Sequence, residues 1–329
     1  MILPGLDSAA LTQAVQALAR GELIGLPTET VYGLAANACN DSAVARVFAA
    51  KGRPADHPLI VHVASEQAVP EFAAEVPGFA RRLMRAFWPG PLTIILPRRA
   101  GVAVASAGGQ DSIGLRCPSH PVAQALLQAC AEAGMPGLSA PSANRFGRVS
   151  PTTAAHVNSE LGPDLLILDG GDCEVGIESS IVDASRGEPV LLRPGQISRT
   201  QLEAAMGRPL RSPGSLAAPA PRASGTLASH YAPRARVVLM SAQEIEARLL
   251  ALGPHAQNLG LWSRQRPAGL GSGCLWRFQP ADAARAAHSL FAVLRELDAQ
   301  GVQQIWVEAV PDAPEWEGVN DRLQRAAVR

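Results

Sequence analysis

Apolar residues recur with two different periods in the first part of the chain, and each period predicts a different element. Leu11, Val15 and Leu18 return every three or four residues, which is the spacing of a helix with one buried face. Residues 59–63 alternate instead, and this pattern is typical of a half-buried strand. The two kinds of element follow one another without strict alternation. That mixture favours an α/β or α+β sheet domain over a regular Rossmann repeat.

The other predicted elements rest on the same periods and on capping residues. Further strands are predicted at residues 22–26, 92–96, 112–116, 165–168, 180–182 and 190–192. Further helices are predicted at residues 42–51, 79–87, 121–133 and 198–206, the last opened by a capping box. We also predict that Ser150 caps a helix whose first position is Pro151.

The composition changes after residue 208 and divides the chain into three parts. Pro, Ala, Ser and Gly dominate residues 209–235, which we interpret as a linker containing a His230-Tyr231 pair. Residues 236–329 have the order β-α-β-β-α-β-α, which is typical of a small parallel-sheet domain. We therefore predict a first domain at residues 1–208, a linker, and a second domain.

The charge balance limits the kind of partner. The chain has 329 residues with 29 basic and 29 acidic side chains, and this balance argues against a broad basic surface for nucleic acid. Its five cysteines are widely spaced without a C-x-x-C pair, which favours a reducing compartment and no zinc ribbon. We see no secretory leader and no apolar run of about 18 residues, so we expect a soluble, cytoplasmic protein without membrane contact.

Lys51 is the single lysine of the chain, and the other 28 basic residues are arginines. It lies two residues before Arg53, across Gly52. A lysine is a compact point charge suited to one phosphate oxygen, whereas an arginine is a planar fork, so the two together resemble an anion clamp. Alternatively, Lys51 is only a cation that favours a helix C-terminus. The residues alone leave both interpretations open.

Polar residues concentrate in four segments of the first domain. These are PTETVYGL at 27–34, KGRPADHPLIVH at 51–62, SAPSAN at 139–144 with SPT at 150–152, and GIESSIVD at 176–183 with LRPG at 192–195. Each segment has an ordinary explanation by itself, as turn hydroxyls, half-buried histidines or a helix cap. No Gly-rich phosphate loop, zinc-protease motif or nucleophile elbow accompanies them.

Taken together, the four segments predict a ligand site. They place cations, hydroxyls and an amide at strand ends and helix starts, where an α/β sheet usually binds ligands. The helix predicted at Ser150 would offer free N–H groups to a phosphate. Ser142 and Asn144 would offer oxygen atoms and donors to phosphate or to a hydrated Mg²⁺.

The four segments resemble the Sua5/YciO/YrdC family of threonylcarbamoyl-AMP synthases. The family joins a Lys-x-Arg to a Ser-x-Asn, matched here by Lys51, Arg53, Ser142 and Asn144, and the PTETVYGL string matches without a gap. The linker and the second domain further resemble the two-domain Sua5 form. The resemblance implies a YrdC-like twisted mixed sheet with helices around an open cavity, plus a smaller Rossmann-like parallel α/β domain.

The resemblance also implies a function. Family members form L-threonylcarbamoyladenylate and pyrophosphate from L-threonine, bicarbonate and ATP, so this chain would be a nucleotidyltransferase that uses Mg²⁺ with its ATP. The product would pass to the tRNA t6A transferase machinery, and a weak contact with tRNA itself stays open. A carbamate carboxylate would attack the α-phosphorus, so catalysis would depend on positioning and charge neutralisation without a protein nucleophile.

Similarity to the family assigns roles to particular residues. L-threonine would contact Thr30, His62, Arg116, Ala140 and Ser180, with Arg116 on its carboxylate. ATP would contact Lys51, Arg53, His57, Ser112, Ser142, Asn144, Ser150, Arg193 and Tyr231. Lys51 and Arg53 would have the catalytic role, and Tyr231 would close the linker over the nucleotide as a lid. The metal ligands are left open.

Two positions depart from the family pattern. His57 stands where an Asn is common, and a neutral imidazole can still donate to the nucleotide, although with a different pH dependence. Ser229 precedes His230-Tyr231 where a basic residue is frequent, which puts a phosphate contact from that position in doubt.

Two other functions fit the sequence less well. An RNA-binding module without catalysis is disfavoured by the zero net charge and by the intact polar set. Carbamoyl transfer in hydrogenase maturation uses a similar domain, but in proteins with zinc-finger cysteine pairs, which this chain lacks. The second domain shows no cluster of titratable residues, so we expect it to pack against the first domain and position the lid.

Overall fold

The computed structural model describes residues 1–214, 220–226, 230–253 and 256–328. Within them the chain forms a mixed sheet with surrounding helices and a separate, smaller parallel sheet. This confirms the expected fold class. Ser229 and parts of the predicted linker lie outside the described residues.

The elements of the described residues are as follows. The strands are β1 (Ile2–Pro4), β2 (Ile24–Leu26), β3 (Gly33–Asn37), β4 (Ile60–His62), β5 (Leu92–Pro97), β6 (Ser112–Arg116), β7 (Leu138–Ser139), β8 (Leu166–Asp169), β9 (Ser180–Asp183), β10 (Val190–Arg193), β11 (Arg236–Met240), β12 (Leu259–Ser263), β13 (Cys274–Phe278) and β14 (Gln304–Glu308). The helices are α1 (Ser8–Ala19), α2 (Asp41–Lys51), α3 (Val69–Phe72), α4 (Gly78–Phe87), α5 (Pro121–Glu132), α6 (Ala154–Leu161), α7 (Arg199–Met206), α8 (Ala242–Leu252), α9 (Ala283–Ala299) and α10 (Glu317–Ala327).

The first sheet has the strand order β1-β8-β2-β3-β7-β4-β6-β5-β9-β10 in the described residues. β4 and β6 run parallel, and their register places His62 opposite Arg116. β5 is antiparallel to β6 and parallel to β9, so the sheet is mixed. Since β4 and β6 are neighbours in parallel, the polar residues at their carboxyl ends lie at one edge of the sheet.

Local sequence signals place several of these elements. The N-cap Asp7 accepts a hydrogen bond from the Ala10 N–H at the start of α1. α2 ends at Gly52, whose φ of 61° is in the left-handed region that favours glycine. The capping box predicted from Ser198 and Gln201 is confirmed at the start of α7.

The helix predicted at Ser150 is wrong. The N-cap of α6 is Thr153, whose hydroxyl accepts from the His156 N–H. Ser150 and Pro151 belong to the preceding loop, where the Pro151 carbonyl accepts from the Tyr32 N–H. A Ser-Pro pair is compatible both with the start of a helix and with an extended loop, so the sequence does not distinguish them. In the structure Ser150-Pro151 lies in a loop. Ser150 therefore offers no helix N-terminus to a ligand.

The short strands β1 and β3 were not predicted, and the buried face of α1 differs from the prediction. β3 is buried at four of its five positions, so it lacks the alternation that marks a half-buried strand. α1 buries small residues, Ala14 and Ala17, together with Leu18. Leu11 and Val15 are only half-buried.

The second domain has the predicted architecture. Its sheet has the order β11-β14-β12-β13 in the described residues, and all its pairings are parallel. The chain order β-α-β-β-α-β-α is confirmed. Parallel pairs require crossover connections, which the intervening helices provide for most pairs.

The two domains share one hydrophobic cluster. Val31, Val149 and Ile177 of the first domain pack in the same buried cluster as Phe291 and Val319 of the second. Each buried side chain of this size contributes about 1.5–3 kcal/mol. The second domain is therefore packed directly against the loops of the first.

None of the helices in the described parts of the chain combines the length and the apolar character needed to cross a membrane.

Candidate functional site

A small cavity lies between the carboxyl ends of β4 and β6, the loop after β7, the residues before β9, and the linker. Its volume is about 40 Å³, which is room for a few water molecules. We call Glu29, His62 and Arg116 the Arg116 end, and Arg53, Glu178, Arg193, Ser224 and Tyr231 the Arg193 end. The lining residues are Val31, Arg53, Ile60, His62, Arg116, Ala140, Pro141, Ser142, Glu178, Ser179, Arg193, Ser224, Gly225, His230 and Tyr231.

A buried ion pair forms the Arg116 end. Arg116 Nη2 lies 2.7 Å from Glu29 Oε1, and the two side chains are 5% and 4% exposed. The other oxygen of Glu29 accepts from the Ser119 N–H at 3.1 Å. Among the described residues Arg116 Nε has no hydrogen-bond partner, and the Glu29 contact is not aligned as a hydrogen bond. The guanidinium therefore keeps donors for an additional anionic group.

His62 lies beside Arg116 on the neighbouring strand. Burial and the positive charge of Arg116 lower the pKa of His62 to about 3, so its imidazole is neutral at physiological pH. Its Nδ1 has no hydrogen-bond partner in the described parts of the chain. The ring thus offers a neutral nitrogen that donates or accepts according to the tautomer.

Two residues expected at this end lie behind the wall. The Thr30 hydroxyl is 2.9 Å from the Thr28 hydroxyl, and both side chains are buried. Ser180 Oγ donates to the Ile197 carbonyl at 3.0 Å. Ala140, in contrast, lines the cavity as expected.

Two arginines of the Arg193 end share one linker residue. Arg193 donates from Nη1 to the Ser224 carbonyl at 2.9 Å, and from Nη2 to the Ser179 hydroxyl at 3.1 Å. Arg53 Nη2 donates to the Ser224 hydroxyl at 2.9 Å and to the Pro58 carbonyl at 2.7 Å. Ser224 therefore engages donors of both arginines.

These buried cations are only partly compensated. Burial, with the added positive charge of Arg193, lowers the pKa of Arg53 to about 10. Burial likewise lowers the pKa of Arg193. A lowered arginine pKa means that the charged form is destabilised where it lies, and a bound anion would remove that cost.

Glu178 supplies a negative charge at the same end. Its Oε1 accepts from the Ser150 hydroxyl, and its Oε2 accepts from Arg322 Nε at 2.9 Å. Burial raises the pKa of Glu178, but the charges of Arg322 and Arg193 and the hydrogen bond from Ser150 outweigh burial and leave the pKa below its ordinary value. Glu178 is therefore an ionised carboxylate in the cavity wall.

Tyr231 closes the cavity from the linker side. Its φ of 62° is in the left-handed region, uncommon for a residue other than glycine. The ring packs 5.2 Å from the Phe291 ring of the second domain. Burial raises the pKa of Tyr231 to about 12, and its hydroxyl has no hydrogen-bond partner among the described residues. A neutral phenol with a free donor thus faces the cavity.

Lys51 does not line the cavity. Its Nζ donates to the carbonyls of Ser142 and Asn144, so it fastens the SAPSAN loop from behind. Burial and the positive charge of Arg53 lower the pKa of Lys51 to about 7.

Asn144 has a buried side-chain oxygen that could serve a metal ion. Its Nδ2 donates to the carbonyls of Arg145 and Arg148, while its Oδ1 is buried without a hydrogen-bond partner among the described residues. The described residues contain no group of three or more His, Cys, Asp or Glu side chains that could hold a metal ion. This arrangement suits an ion that arrives with its ligand better than a protein cage.

The structure brings together about half of the expected site residues. The expected residues that line the cavity are Arg53, His62, Arg116, Ala140, Ser142, Arg193 and Tyr231. Those that lie outside its lining are Thr30, Lys51, Asn144, Ser150 and Ser180. Ser112 lines a neighbouring cavity together with Ser224, and the His57 ring packs edge-on against Phe146 at 5.5 Å.

Several residues of the site were missed in the sequence. Glu29 and Glu178 stand inside recognised segments, and a carboxylate within an otherwise apolar and hydroxyl-rich string is a signal for a buried cation partner. Ser179 and Ser224 contact Arg193 and gave no separate signal. Arg322 lies 144 positions from Glu178 in the chain, so local patterns cannot reveal it.

Two family models match successive parts of the chain. Residues 16–195 match the model of the Sua5, YciO and YrdC proteins, which is described as "Telomere recombination". Residues 197–328 match the model described as "Threonylcarbamoyl-AMP synthase, C-terminal domain".

Individual proteins match over nearly the whole length. A threonylcarbamoyl-AMP synthase of Pyrococcus abyssi is 36% identical over 320 residues, covering 93% of this chain and 91% of that protein. One of Bacillus subtilis is 36% identical over 325 residues, covering 96% and 92%. The crystal structure of P. abyssi Sua5 complexed with L-threonine aligns with a TM-score of 0.89 at 34% identity, covering 99% of this chain and 97% of that one. This chain therefore belongs to the Sua5/YciO/YrdC family, in its two-domain Sua5 form.

Proposed function

We propose that this protein is a nucleotidyltransferase that forms L-threonylcarbamoyladenylate and pyrophosphate from L-threonine, bicarbonate and ATP. The observation that carries the proposal is the pairing of the Arg116 end with the Arg193 end in one cavity. It is supported by 36% identity over 93% of the chain to a protein named threonylcarbamoyl-AMP synthase. The product would serve the t6A modification of tRNA through a separate transferase.

L-threonine is assigned to the Arg116 end. That a relative was solved with L-threonine supports this substrate for the present chain. Arg116 keeps donors that suit a carboxylate, and its Nη2 is paired with Glu29. Neutral His62 is suited to the amine or to the carbamate made from it, because it brings no charge of its own.

ATP is assigned to the Arg193 end. Arg53 and Arg193 are destabilised as cations by burial, and a triphosphate would compensate both. A cavity of about 40 Å³ is far smaller than a nucleotide, and Ser224 holds the donors that phosphate would need. Ser224 therefore has to move out before ATP enters, and Tyr231 would close over the nucleotide afterwards.

The proposed reaction has two steps. The threonine amine attacks the carbon of bicarbonate, water leaves, and a carbamate forms. A carboxylate oxygen of the carbamate then attacks the α-phosphorus, the bond to the bridging oxygen of the β-phosphate breaks, and pyrophosphate leaves. Arg116 holds the threonine carboxylate, while Arg53 and Arg193 neutralise the triphosphate. The closed linker would exclude water from the labile carbamate.

Mg²⁺ is proposed to enter with ATP. Asn144 Oδ1 fits as one oxygen ligand, because it is buried and lacks a partner among the described residues. When bound, the ion would neutralise phosphate charge. Lys51 positions Asn144 by holding its carbonyl and that of Ser142. Chelation with EDTA is expected to stop pyrophosphate release, and added Mg²⁺ to restore it.

Pyrophosphate release from the purified protein tests the reaction. With ATP and Mg²⁺ present, release is expected only when L-threonine and bicarbonate are both added. The adenylate itself, trapped at early times and identified by mass spectrometry, identifies the product. Pyrophosphate release that does not depend on threonine would overturn the proposal. A folded protein that binds ATP but releases no pyrophosphate would also overturn it.

A further inference from the structure

Helix α10 of the second domain reaches the wall of the cavity through a close helix–loop contact. A Cβ atom on Gly318 would lie 2.7 Å from the Gly195 carbonyl oxygen, so the helix approaches the loop after β10 as closely as only glycine allows. Val319 and Leu323 are buried in the hydrophobic cluster that the two domains share. These contacts fix the rotation and height of α10. Arg322 lies one turn after Gly318.

Arg322 is fully buried, and it donates most of its hydrogen bonds to residues of the first domain. It donates from Nε to Glu178 Oε2 at 2.9 Å and from Nη2 to the Glu178 carbonyl at 3.0 Å. Nη1 donates to the Pro194 carbonyl at 2.8 Å and to Asp321 at 2.7 Å. The guanidinium carbon lies 5.4 Å from the centre of the Tyr231 ring. One side chain of the second domain thus holds Glu178 by its carboxylate and its backbone.

The charge of Glu178 makes this contact important for the cavity. An uncompensated carboxylate there would repel the phosphates of ATP. It would also attract the Arg193 guanidinium, which would then be less available to pair with phosphate. Arg322 compensates the carboxylate from behind, and Ser150 takes its other oxygen. Arg193 is thereby left to Ser179 and to Ser224 of the linker, whose carbonyl can be replaced by a phosphate.

We propose that Arg322 is a positioning residue for nucleotide binding, by which the second domain neutralises and holds Glu178 so that Arg53 and Arg193 remain available to the triphosphate. The inference rests on the proposed function, because it takes the ligand of the Arg193 end to be ATP. It gives the second domain a role in the reaction beyond packing. Arg322 itself does not line the cavity.

Domain packing alone is the alternative, since a buried ion pair between domains also affects stability. Removing Arg322 leaves Glu178 unpaired in either case. A packing role predicts that ATP binding, the KM for threonine and the melting temperature are all affected together. A positioning role predicts a loss confined to ATP, reversed when Glu178 also loses its charge.

The test uses the full-length protein in four forms: wild type, Arg322→Met, Glu178→Gln and the double variant. Titration calorimetry measures ATP binding, and pyrophosphate release gives KM separately for ATP and for L-threonine. We expect Arg322→Met to weaken ATP binding about 20-fold, with KM for threonine changed less than about 2-fold. The double variant should return ATP binding to within about 3-fold of wild type, because no buried charge is left unpaired.

A matched control comes from the next turn of the same helix. Arg325 donates to Asp321 at 2.9 Å and does not contact Glu178 in the bonds above, so Arg325→Met removes an equal charge from α10. It is expected to bind ATP as wild type does. If Arg322→Met does not fold, Arg322→Lys with and without Glu178→Gln takes its place. The lysine keeps the charge but cannot make the forked contact. Its ATP affinity is therefore expected to lie between that of wild type and that expected for Arg322→Met.

The outcomes separate the two proposals. Wild type that neither binds ATP nor releases pyrophosphate would overturn the function and this inference together. Active wild type with an unaltered ATP affinity in Arg322→Met would overturn the inference alone. Equal losses for ATP and threonine in Arg322→Met would also overturn it, whether or not the double variant reverses them, since they indicate packing only.

Discussion

The two ends of the cavity are built from different kinds of contact. The Arg116 end belongs to one sheet: His62 and Arg116 are register partners on β4 and β6, and Glu29 comes from the loop between β2 and β3. The Arg193 end is assembled from the end of α2, the residues before β9, the end of β10, the linker and the second domain. Neighbouring strands fix the first end whether or not the linker is in place. The second end is complete only when the first domain, the linker and the second domain meet.

These two kinds of construction suit a small substrate and a large one in the same cavity. A site on rigid strands is preorganised, and it binds a small amino acid at low entropic cost. A site that includes a linker can open for a nucleotide and then close over it. We therefore expect damage at either end to affect mainly the ligand of that end, and the following predictions test that independence.

The largest effect is expected from Arg116→Met. Loss of the fork removes charge-assisted hydrogen bonds of about 1.5–3 kcal/mol each, so KM for L-threonine should rise at least 100-fold. ATP binding measured by calorimetry should change less than about 2-fold. Arg85→Met, which removes an exposed arginine on α4, serves as the control. An equal fall in ATP affinity would show that the ends are not independent.

Arg193→Met is the matched change at the other end. ATP affinity should fall about 30-fold, because a buried donor pair for phosphate is lost, whereas KM for threonine should stay within about 2-fold. The Ser179 contacts are lost as well, so thermal melting must confirm that the variant is folded at the assay temperature. A threonine defect as large as the ATP defect would argue against the division into two ends.

The sequence predicted the Arg116 end better than the Arg193 end for a physical reason. His62 and Arg116 lie on strands whose bounds are local properties, and the resemblance to the family assigned both to threonine. At the Arg193 end, Arg53, Arg193 and Tyr231 were predicted from motifs, but Arg322 and Ser224 depend on contacts between distant parts of the chain. The hydrophobic periodicity of a sequence reflects local structure and does not reveal such contacts.

Burial was the other property that local patterns failed to give. Lys51 was expected beside phosphate, and its amine instead donates to two backbone carbonyls outside the cavity lining. Ser150 was expected at a helix start, and it lies in a loop where it donates to Glu178. In each case the residue type was informative, while its direction was set by packing that the sequence does not display.

Protonation of Lys51 should affect ATP binding but not threonine binding. Burial and Arg53 hold the pKa of Lys51 near 7, and the negative charge of ATP would raise it. ATP then binds the protonated form more tightly, so its affinity should fall about 10-fold between pH 7 and pH 8.5. Threonine binding should not follow this curve. Calorimetry across the pH range checks it, and Lys51→Met should remove the dependence; if the dependence persists, another group is responsible.

Tyr231→Phe probes the closing of the Arg193 end. The hydroxyl has no hydrogen-bond partner among the described residues, so its loss should leave the melting temperature unchanged. If the hydroxyl contacts ATP after closure, KM for ATP should rise about 5-fold with the threonine KM unaltered. Full retention of ATP binding would mean that the ring closes the cavity without a contact from its hydroxyl.

The smallest effect, and the one opposite in sign, is expected from Ser224→Ala. The serine hydroxyl accepts from Arg53 Nη2 at 2.9 Å in the closed linker, and ATP has to replace this bond. Without the hydroxyl the linker is held less tightly, while the carbonyl contact to Arg193 remains. ATP affinity should therefore increase about 3-fold, corresponding to part of one hydrogen bond to a charged group. Threonine binding should not change, because Ser224 makes no contact at the Arg116 end in the bonds described. A fall in ATP affinity would instead make Ser224 a direct contact of the nucleotide, and the linker would then belong to the bound site itself.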